Sequence, residues 1–354
     1  MGPGERKIGK GRVRPDSGRQ PFGDMNCRLK PVLDGDWRTV APSPDLTAKL
    51  GRAGFLEEQA TRVEHNAVVD NHVFCDALGI WHCWACVRST AVGRVLYHWK
   101  TEDFFASPWQ ATGEVLRCDR TAGESIHDYH GQEWIQSPYF IEVDGTYFMF
   151  YGGHTTGVGA DGNPAHGDDE RNECQMCLMT SPDGVTWTRH RNAAGLSRIF
   201  VGPGEVRDPC LLNVDGVWHC YYAGYEAGKR HLPGFYVRTS DDLTNWSESI
   251  CVHRDLDMAG GRWDCECPHV VYRQGYFYLF RTEDYYESRT HVYRSEDPLD
   301  FGVGEAGDKY VGLFPVAAPE LFMGPDGQEF VTSVHNPPLG AQIAPVRWET
   351  RPTA

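Results

Sequence analysis

Five stretches of this chain repeat one short pattern, and a repeat constrains a fold more than any single motif does. Each unit must bury its apolar face against a neighbour. The stretches are Val68–Cys86, Gln136–Gly153, Val206–Gly224, Cys265–Glu283 and Ala318–Asn336. Each opens on a polar or small residue, usually beside a proline, and runs through a short apolar segment to a glycine-centred turn. An aromatic-rich apolar segment follows, which is the signature of a β-hairpin. The turn glycines Gly79, Gly145, Gly216, Gly275 and Gly327 are 66, 71, 59 and 52 residues apart, room for a four-stranded unit each time. A second recurring pattern supplies the outer half: a strand, a Ser/Thr–Asp/Glu turn that bonds its own backbone, then an aromatic. It stands at Tyr97–Asp103, Leu178–Trp187, Tyr236–Trp246 and Val292–Phe301. Five such units stacked radially predict an all-β, single-domain, five-bladed β-propeller over residues 27–354, with blades opening near residues 68, 136, 206, 265 and 318. The last unit ends in the strand-like Gln342–Trp348, and ring closure is expected from a strand within Cys27–Pro42.

The rest of the chain bounds function. A net charge of −15 argues against nucleic acid or an anionic membrane as partner. No run of ~18 apolar residues offers a membrane span. Residues Met1–Asp24 carry six Lys/Arg against three acids, a net +3, which leaves −15 − 3 = −18 for the remainder. Residues 1–26 therefore read as a disordered basic tail, or as an over-extended reading frame with Met25 as the true start. The tail has no apolar core, so it is not a secretory signal, and the expected location is the cytoplasm. Leu46–Ala60 is the one helix candidate, and the Gly/Asp/His-rich Thr155–Asn172 reads as a long loop. Of the 12 cysteines, Cys83/Cys86 and Cys174/Cys177 form C-x-x-C pairs. Both pairs lie in strand-like runs, where i and i+3 face opposite ways, so they are expected to pack rather than ligate zinc. Trp81-His82-Cys83 also recurs as Trp218-His219-Cys220, as packing residues do in a repeat.

The chemistry is expected where the units open. Asp70, Asp208 and Glu266 stand 9, 8 and 9 residues before their turn glycines. The openings of a propeller converge on its axis, and carboxylates brought together repel, so at least one should carry a raised pKa. One ionised and one protonated carboxyl is what cleavage of a glycosidic bond requires.

Arg207-Asp208-Pro209 and Glu266-Cys267-Pro268 resemble the R-D-P and E-C-P motifs of glycoside hydrolase family 32. The ordered Asp, Asp, Glu and the Ser-Asp-Asp-Leu-x-x-Trp turn are similar to family 43. Both families are five-bladed propellers, and the resemblance covers roughly Val68–Trp348, closest to uncharacterised bacterial members of that superfamily. It implies that Glu266 is the general acid. Asp70 is then the base of an inverting enzyme or the nucleophile of a retaining one, and Asp208 orients the sugar and holds up the pKa of Glu266. Arg207 would bond substrate or tune Asp208, keeping it ionised. No cofactor is implied, although the acidic axis offers a place for structural Ca²⁺. The family 32 opening N-D-P-N-G is absent, since Asp70 lies between Val69 and Asn71-His72, so Asp76 or Glu64 are alternatives and fructan specificity does not carry over. The expected substrate is a furanoside such as an arabinofuranoside, or a related sugar.

Further candidates for substrate binding are His72, Arg281 and the residues before the second opening, Asp128, His130, Glu133 and Trp134. Trp263 precedes the fourth opening, and Trp134 and Trp263 would stack on sugar. His335 is a weaker candidate for an axial ligand. Two other functions compete. A non-catalytic sugar-binding propeller would bind without turnover. A phosphorolytic enzyme of the family 130 kind would be accelerated by inorganic phosphate, with Arg207, Arg281 and His269 as a basic pocket. The oligomeric state is left open.

Overall fold

The computed structural model describes residues 27–46, 67–90, 92–124, 126–127, 132–153, 174–226, 229, 231–256, 265–336 and 338–352. The basic tail, nearly all of the helix candidate, the loop Thr155–Asn172, Glu64, Asp128, His130 and Trp263 lie outside them. The described chain is all β, apart from one 3₁₀ turn at Arg120–Ala122. Among the described residues no helix is long and apolar enough to cross a membrane.

The strands follow the hairpin pattern. β1 (Cys27–Leu33) and β2 (Arg38–Pro42) come first. A first antiparallel group is β3 (Ala67–Cys75), β4 (Trp81–Thr90), β5 (Gly93–Thr101) and β6 (Gln110–Leu116). After the short β7 (Ile126–His127), a second holds β8 (Gln132–Val143), β9 (Thr146–Gly153) and β10 (Gln175–Ser181), flanked by β11 (Thr188–Arg189) and β12 (Arg198–Val201). The third runs β13 (Arg207–Val214), β14 (Val217–Gly224), β15 (Gly234–Ser240), β16 (Ile250–Asp255). The fourth is β17 (Glu266–Arg273), β18 (Tyr276–Asp284) and β19 (Arg289–Ser295), then, past the two-residue β20 (Val303–Gly304), β21 (Tyr310–Phe314). The last is β22 (Leu321–Met323), β23 (Glu329–Ser333) and β24 (Gly340–Pro352), with β1 and β2 both paired to β24. The strand from Cys27–Pro42 expected to complete the last unit is therefore present, and it ties the start of the chain to its end. The first two groups join into one sheet through a parallel β5–β8 contact.

The turn chemistry is as the sequence suggests. Asp183 Oδ1 accepts from the N–H groups of Val185 and Thr186, and Asp242 Oδ1 from those of Thr244 and Asn245. These bonds stop one strand and aim the aromatic that follows, Trp187 or Trp246, back at the core. Strands in the middle of the groups bury both faces. On β4, Cys83 packs in one apolar cluster and Cys86 in another, and Cys174 and Cys177 are divided in the same way. Both pairs thus serve packing, and every described cysteine side chain is a free thiol.

One irregularity recurs and positions the site. The inner strand of each of the first four groups breaks register near its opening, between Val69/Asn71, Gln136/Tyr139, Arg207/Cys210 and Glu266/His269. At each break one residue has positive φ: Asp70 (44°), Ser137 (54°), Asp208 (58°) and Cys267 (54°). Ala318 (50°) holds the same place before β22. Proline follows four of the five and has no N–H for the ladder, so pairing lapses there. A left-handed non-glycine residue costs about 1–2 kcal/mol, and such bulges re-aim side chains beside functional sites.

Candidate active site

The five positive-φ residues, the residue after each, and Glu320 line one narrow central cavity of about 20 Å³, room for roughly one water. All five strand groups thus meet at a point. The register also corrects the sequence alignment of the acids. Asp70 and Asp208 occupy equivalent positions, but Glu266 stands one residue earlier, the place held by Gln136 and Arg207 in their groups. Cys267, not Glu266, is opposite Asp208. Counting back from the turn glycine missed this because bulges change the count between units.

The shift still brings the three acids together. Arg207 Nη1 donates to Glu266 Oε1 at 2.6 Å and to Asp208 Oδ2 at 3.0 Å, and its Nε lies 3.3 Å from Glu205 Oε2. Asp208 Oδ2 also accepts the Cys267 N–H at 3.0 Å. Ser137 Oγ lies 2.7 Å from Asp208 Oδ1 and 3.1 Å from Asp70 Oδ2, so one hydroxyl hydrogen serves two carboxylates. The other Asp70 oxygen accepts from the Tyr285 hydroxyl at 3.0 Å, and Cys267 Sγ contacts that hydroxyl at 2.8 Å. Asp70, Asp208, Glu266 and Arg207 are all buried.

One guanidinium is shared among Glu205, Asp208 and Glu266, which leaves excess negative charge in a buried place. Burial raises the pKa of Glu266, Arg207 opposes, and Asp208 pushes it further up. Asp208 is raised by burial too, against the pull of Arg207, Ser137 and the Cys267 N–H. The expectation that Arg207 alone holds Asp208 ionised therefore understates burial. Glu266 receives its bond from Arg207, whereas Asp208 has three donors, so Glu266 is the better holder of a proton. Arg207 itself stays charged: burial works against it, but Asp208, Glu266 and Glu205 together raise its pKa well above the ordinary value.

Oxygens of Asp70 and Asp208 and the Cys267 sulfur lie within 4.8 Å of one another. These three groups supply fewer oxygens than calcium takes. Calcium takes six to eight oxygens, whereas here the carboxylate oxygens already accept protein hydrogen bonds. The third group is a thiol kept protonated by burial and by Asp208 and Asp70.

The remaining candidates are divided. The Trp134 Nε1–H bonds Gln136 Oε1 at 3.1 Å, and Gln136 precedes Ser137 in the sequence. His72 is buried: its Nδ1 meets Oε2 of the cavity-lining Glu320 at 2.5 Å, and its ring lies 4.2 Å from that of Tyr139. Glu133 and Arg281 are not brought to the acids. Glu133 accepts from Arg117 Nε at 3.0 Å and the Cys118 N–H at 3.2 Å, at the β5–β8 seam. Arg281 is 2 % exposed, its guanidinium 5.9 Å from the Tyr293 ring. His269 is committed to the Leu321 N–H, and His335 to Ser333 and the Trp37 ring. Asp76 caps the first hairpin turn through the N–H groups of Leu78 and Ile80, so it is no substitute for Asp70.

Sequence reasoning missed Ser137, Tyr285, Gln136, Glu320, Arg88 and Arg94. Ser137 was findable, since Ser137-Pro138 aligns with Asp208-Pro209 once the X-Pro pairs are matched. Arg88 and Arg94 come from strand ends with no repeat signal.

Comparison with known proteins agrees with this architecture. No curated protein matches the chain by sequence. Solved structures do match in fold. The α-L-arabinofuranosidase from Lactobacillus brevis superposes with a TM-score of 0.54 at 12% identity, covering 79% of this chain and 90% of that one. The Bombyx mori GH32 β-fructofuranosidase BmSUC1 gives 0.55 at 15% identity, covering 84% and 68%. A thermostable family-43 glycoside hydrolase gives 0.52 at 16%, covering 80% and 89%. The family model of the glycosyl hydrolases family 32 N-terminal domain matches residues 80–301, which include Arg207, Asp208 and Glu266 but not Asp70. With well over half of its length matched, the chain belongs to the glycosyl hydrolases family 32 N-terminal domain family and is a glycosidase.

Proposed function

We propose that the chain is a single-domain, five-bladed β-propeller that hydrolyses a furanoside or a related glycoside at its centre. Five antiparallel groups meeting at one cavity, the last completed by β1 and β2, support the architecture. The observation that carries the chemistry is the unbroken series of contacts from Asp70 through Ser137, Asp208 and Arg207 to Glu266. Glu266, which holds its proton more firmly than an ordinary carboxyl because burial outweighs its single guanidinium contact, gives that proton to the glycosidic oxygen as that bond breaks. Asp70 acts from the other side, on water as a base or on the sugar as a nucleophile. Asp208 supports the positive charge that develops on the sugar, and its proximity keeps Glu266 protonated. Two of the similar structures are named for furanoside cleavage, which favours furanosides as the first substrates to test.

The test is turnover of a panel of 4-nitrophenyl furanosides and pyranosides, with the first-formed anomer read by NMR. Cleavage of a furanoside supports the reading. Binding without cleavage across the panel would overturn it in favour of a sugar-binding propeller.

A further inference from the structure

A guanidinium with only neutral partners stands close enough to Asp70 and Arg207 to feel their charge. Arg94, on β5, sits at the seam where Arg94 pairs with Trp134 of β8. Its guanidinium carbon lies 3.9 Å from the Trp134 ring centre, and its Nη1 donates to Gln136 Oε1, which also holds the Trp134 indole. Among the described residues no carboxylate pairs with it. Gln136 occupies in the second group the place of Arg207 in the third and Glu266 in the fourth. Arg94 is therefore tied to the residue that precedes Ser137, half-buried and still accessible. Burial, then Arg88, pull its pKa down to about 9; Arg207 acts in the same sense and Asp70 against it. This positive charge stands in a chain of net charge −15.

We propose that Arg94, with Arg88 nearby, seats an oxyanion beside the scissile sugar. This rests on the glycosidase reading above and deepens it. The planar fork of arginine fits a carboxylate or a phosphate in two parallel hydrogen bonds. The anion comes either from the substrate, as the carboxylate of an acidic sugar, or from free inorganic phosphate. In the second case a phosphate oxygen bonds to C1 as the C1–O bond to the leaving group breaks. Glu266 then gives its proton to the leaving oxygen, and the products are a sugar 1-phosphate and an alcohol.

Titration calorimetry on the full chain decides this without turnover. Glucuronate, galacturonate and inorganic phosphate are compared with glucose, galactose and arabinose. At least one acidic ligand is expected to bind ~10–100-fold more tightly than the neutral sugars, the worth of one or two charge-assisted hydrogen bonds. Arg94→Gln should erase most of that preference and Arg94→Lys should keep part of it, with melting curves confirming that both fold. Preference for a uronate assigns the anion to the substrate. Preference for phosphate, with sugar 1-phosphate appearing when phosphate is added to a cleavage reaction, assigns it to the co-substrate. Equal binding of acidic and neutral ligands, or a preference that survives Arg94→Gln unchanged, overturns the proposal. A neutral furanoside cleaved under those same results would leave the glycosidase reading standing.

Discussion

Ser137→Ala removes one hydrogen from the centre of the site and should move the pH dependence of catalysis. Ser137 Oγ stands between Asp208 Oδ1 at 2.7 Å and Asp70 Oδ2 at 3.1 Å. Without it, two buried carboxylates face each other with no donor between them. A hydrogen bond to a charged group is worth ~1.5–3 kcal/mol. Losing a bond of that size should move the acid limb set by Asp208 upward by about 1–2 pH units, at ~1.4 kcal/mol per unit. The backbone tolerates the change, because the equivalent position of the last group is already Ala318, at φ 50°. The assay is the acid limb of kcat/KM against pH, which reports a group that must be deprotonated in the free enzyme. The account expects that limb to shift upward while the folded fraction at neutral pH stays high. A profile that coincides with wild type would overturn this, because Ser137 would then not govern the ionisation of Asp208.

Three further outcomes follow from the same charges. Arg207→Met should destabilise the fold by ~3–5 kcal/mol in denaturant titrations, because Asp208 and Glu266 lose the guanidinium that contacts both of them in a buried place. His72→Ala should cost a similar amount by stranding Glu320. The double variant with Glu320→Gln should recover at least ~1 kcal/mol of it in a double-mutant cycle. Glu266 and Asp208 have folded pKa values raised above their ordinary 4.5 and 3.8. Between those values and the raised ones the native state holds more protons than the unfolded chain, so stability should fall as pH rises through that window. Melting temperature against pH checks this, and Asp208→Asn should flatten the slope.

The fold was legible in the sequence to the extent that its repeat is local. Turn glycines and Asp-capped turns act within a few residues, so Gly79, Gly216, Asp183 and Asp242 mark strand ends from sequence alone. The tie between β24 and the start of the chain was legible because an unmatched last unit needs a partner. The site was legible only in part. Asp208 and Glu266 stand in motifs, but their relative depth depends on bulges, and a one-residue bulge leaves no mark when distance is counted from the turn. The proline after Ser137, Asp208 and Cys267 carried that information and was the better ruler. Tyr285 and Glu320 reach the centre from the β18–β19 turn and from beyond the last opening, and Arg88 and Arg94 come near Asp70 from strand ends. Their positions follow from how the groups pack against one another, which no local pattern encodes. Glu133 and Arg281 lie away from the acids for the converse reason: a charged residue near an opening finds a nearer partner, Arg117 for Glu133 and the Tyr293 ring for Arg281.

In the function proposed above, Glu266 is the proton donor to the leaving group. Glu266→Gln keeps the shape and removes the proton, so its effect must depend on how much help the leaving group needs. The decisive measurement is the ratio of wild-type to Glu266→Gln kcat/KM on two glycosides of the same sugar, one with an alkyl and one with a 2,4-dinitrophenyl leaving group. The account predicts a loss of ~10²–10⁴-fold for the alkyl glycoside and a much smaller loss for the dinitrophenyl one, which departs without protonation. Equal losses on both substrates, or wild-type turnover of the alkyl glycoside, would contradict it.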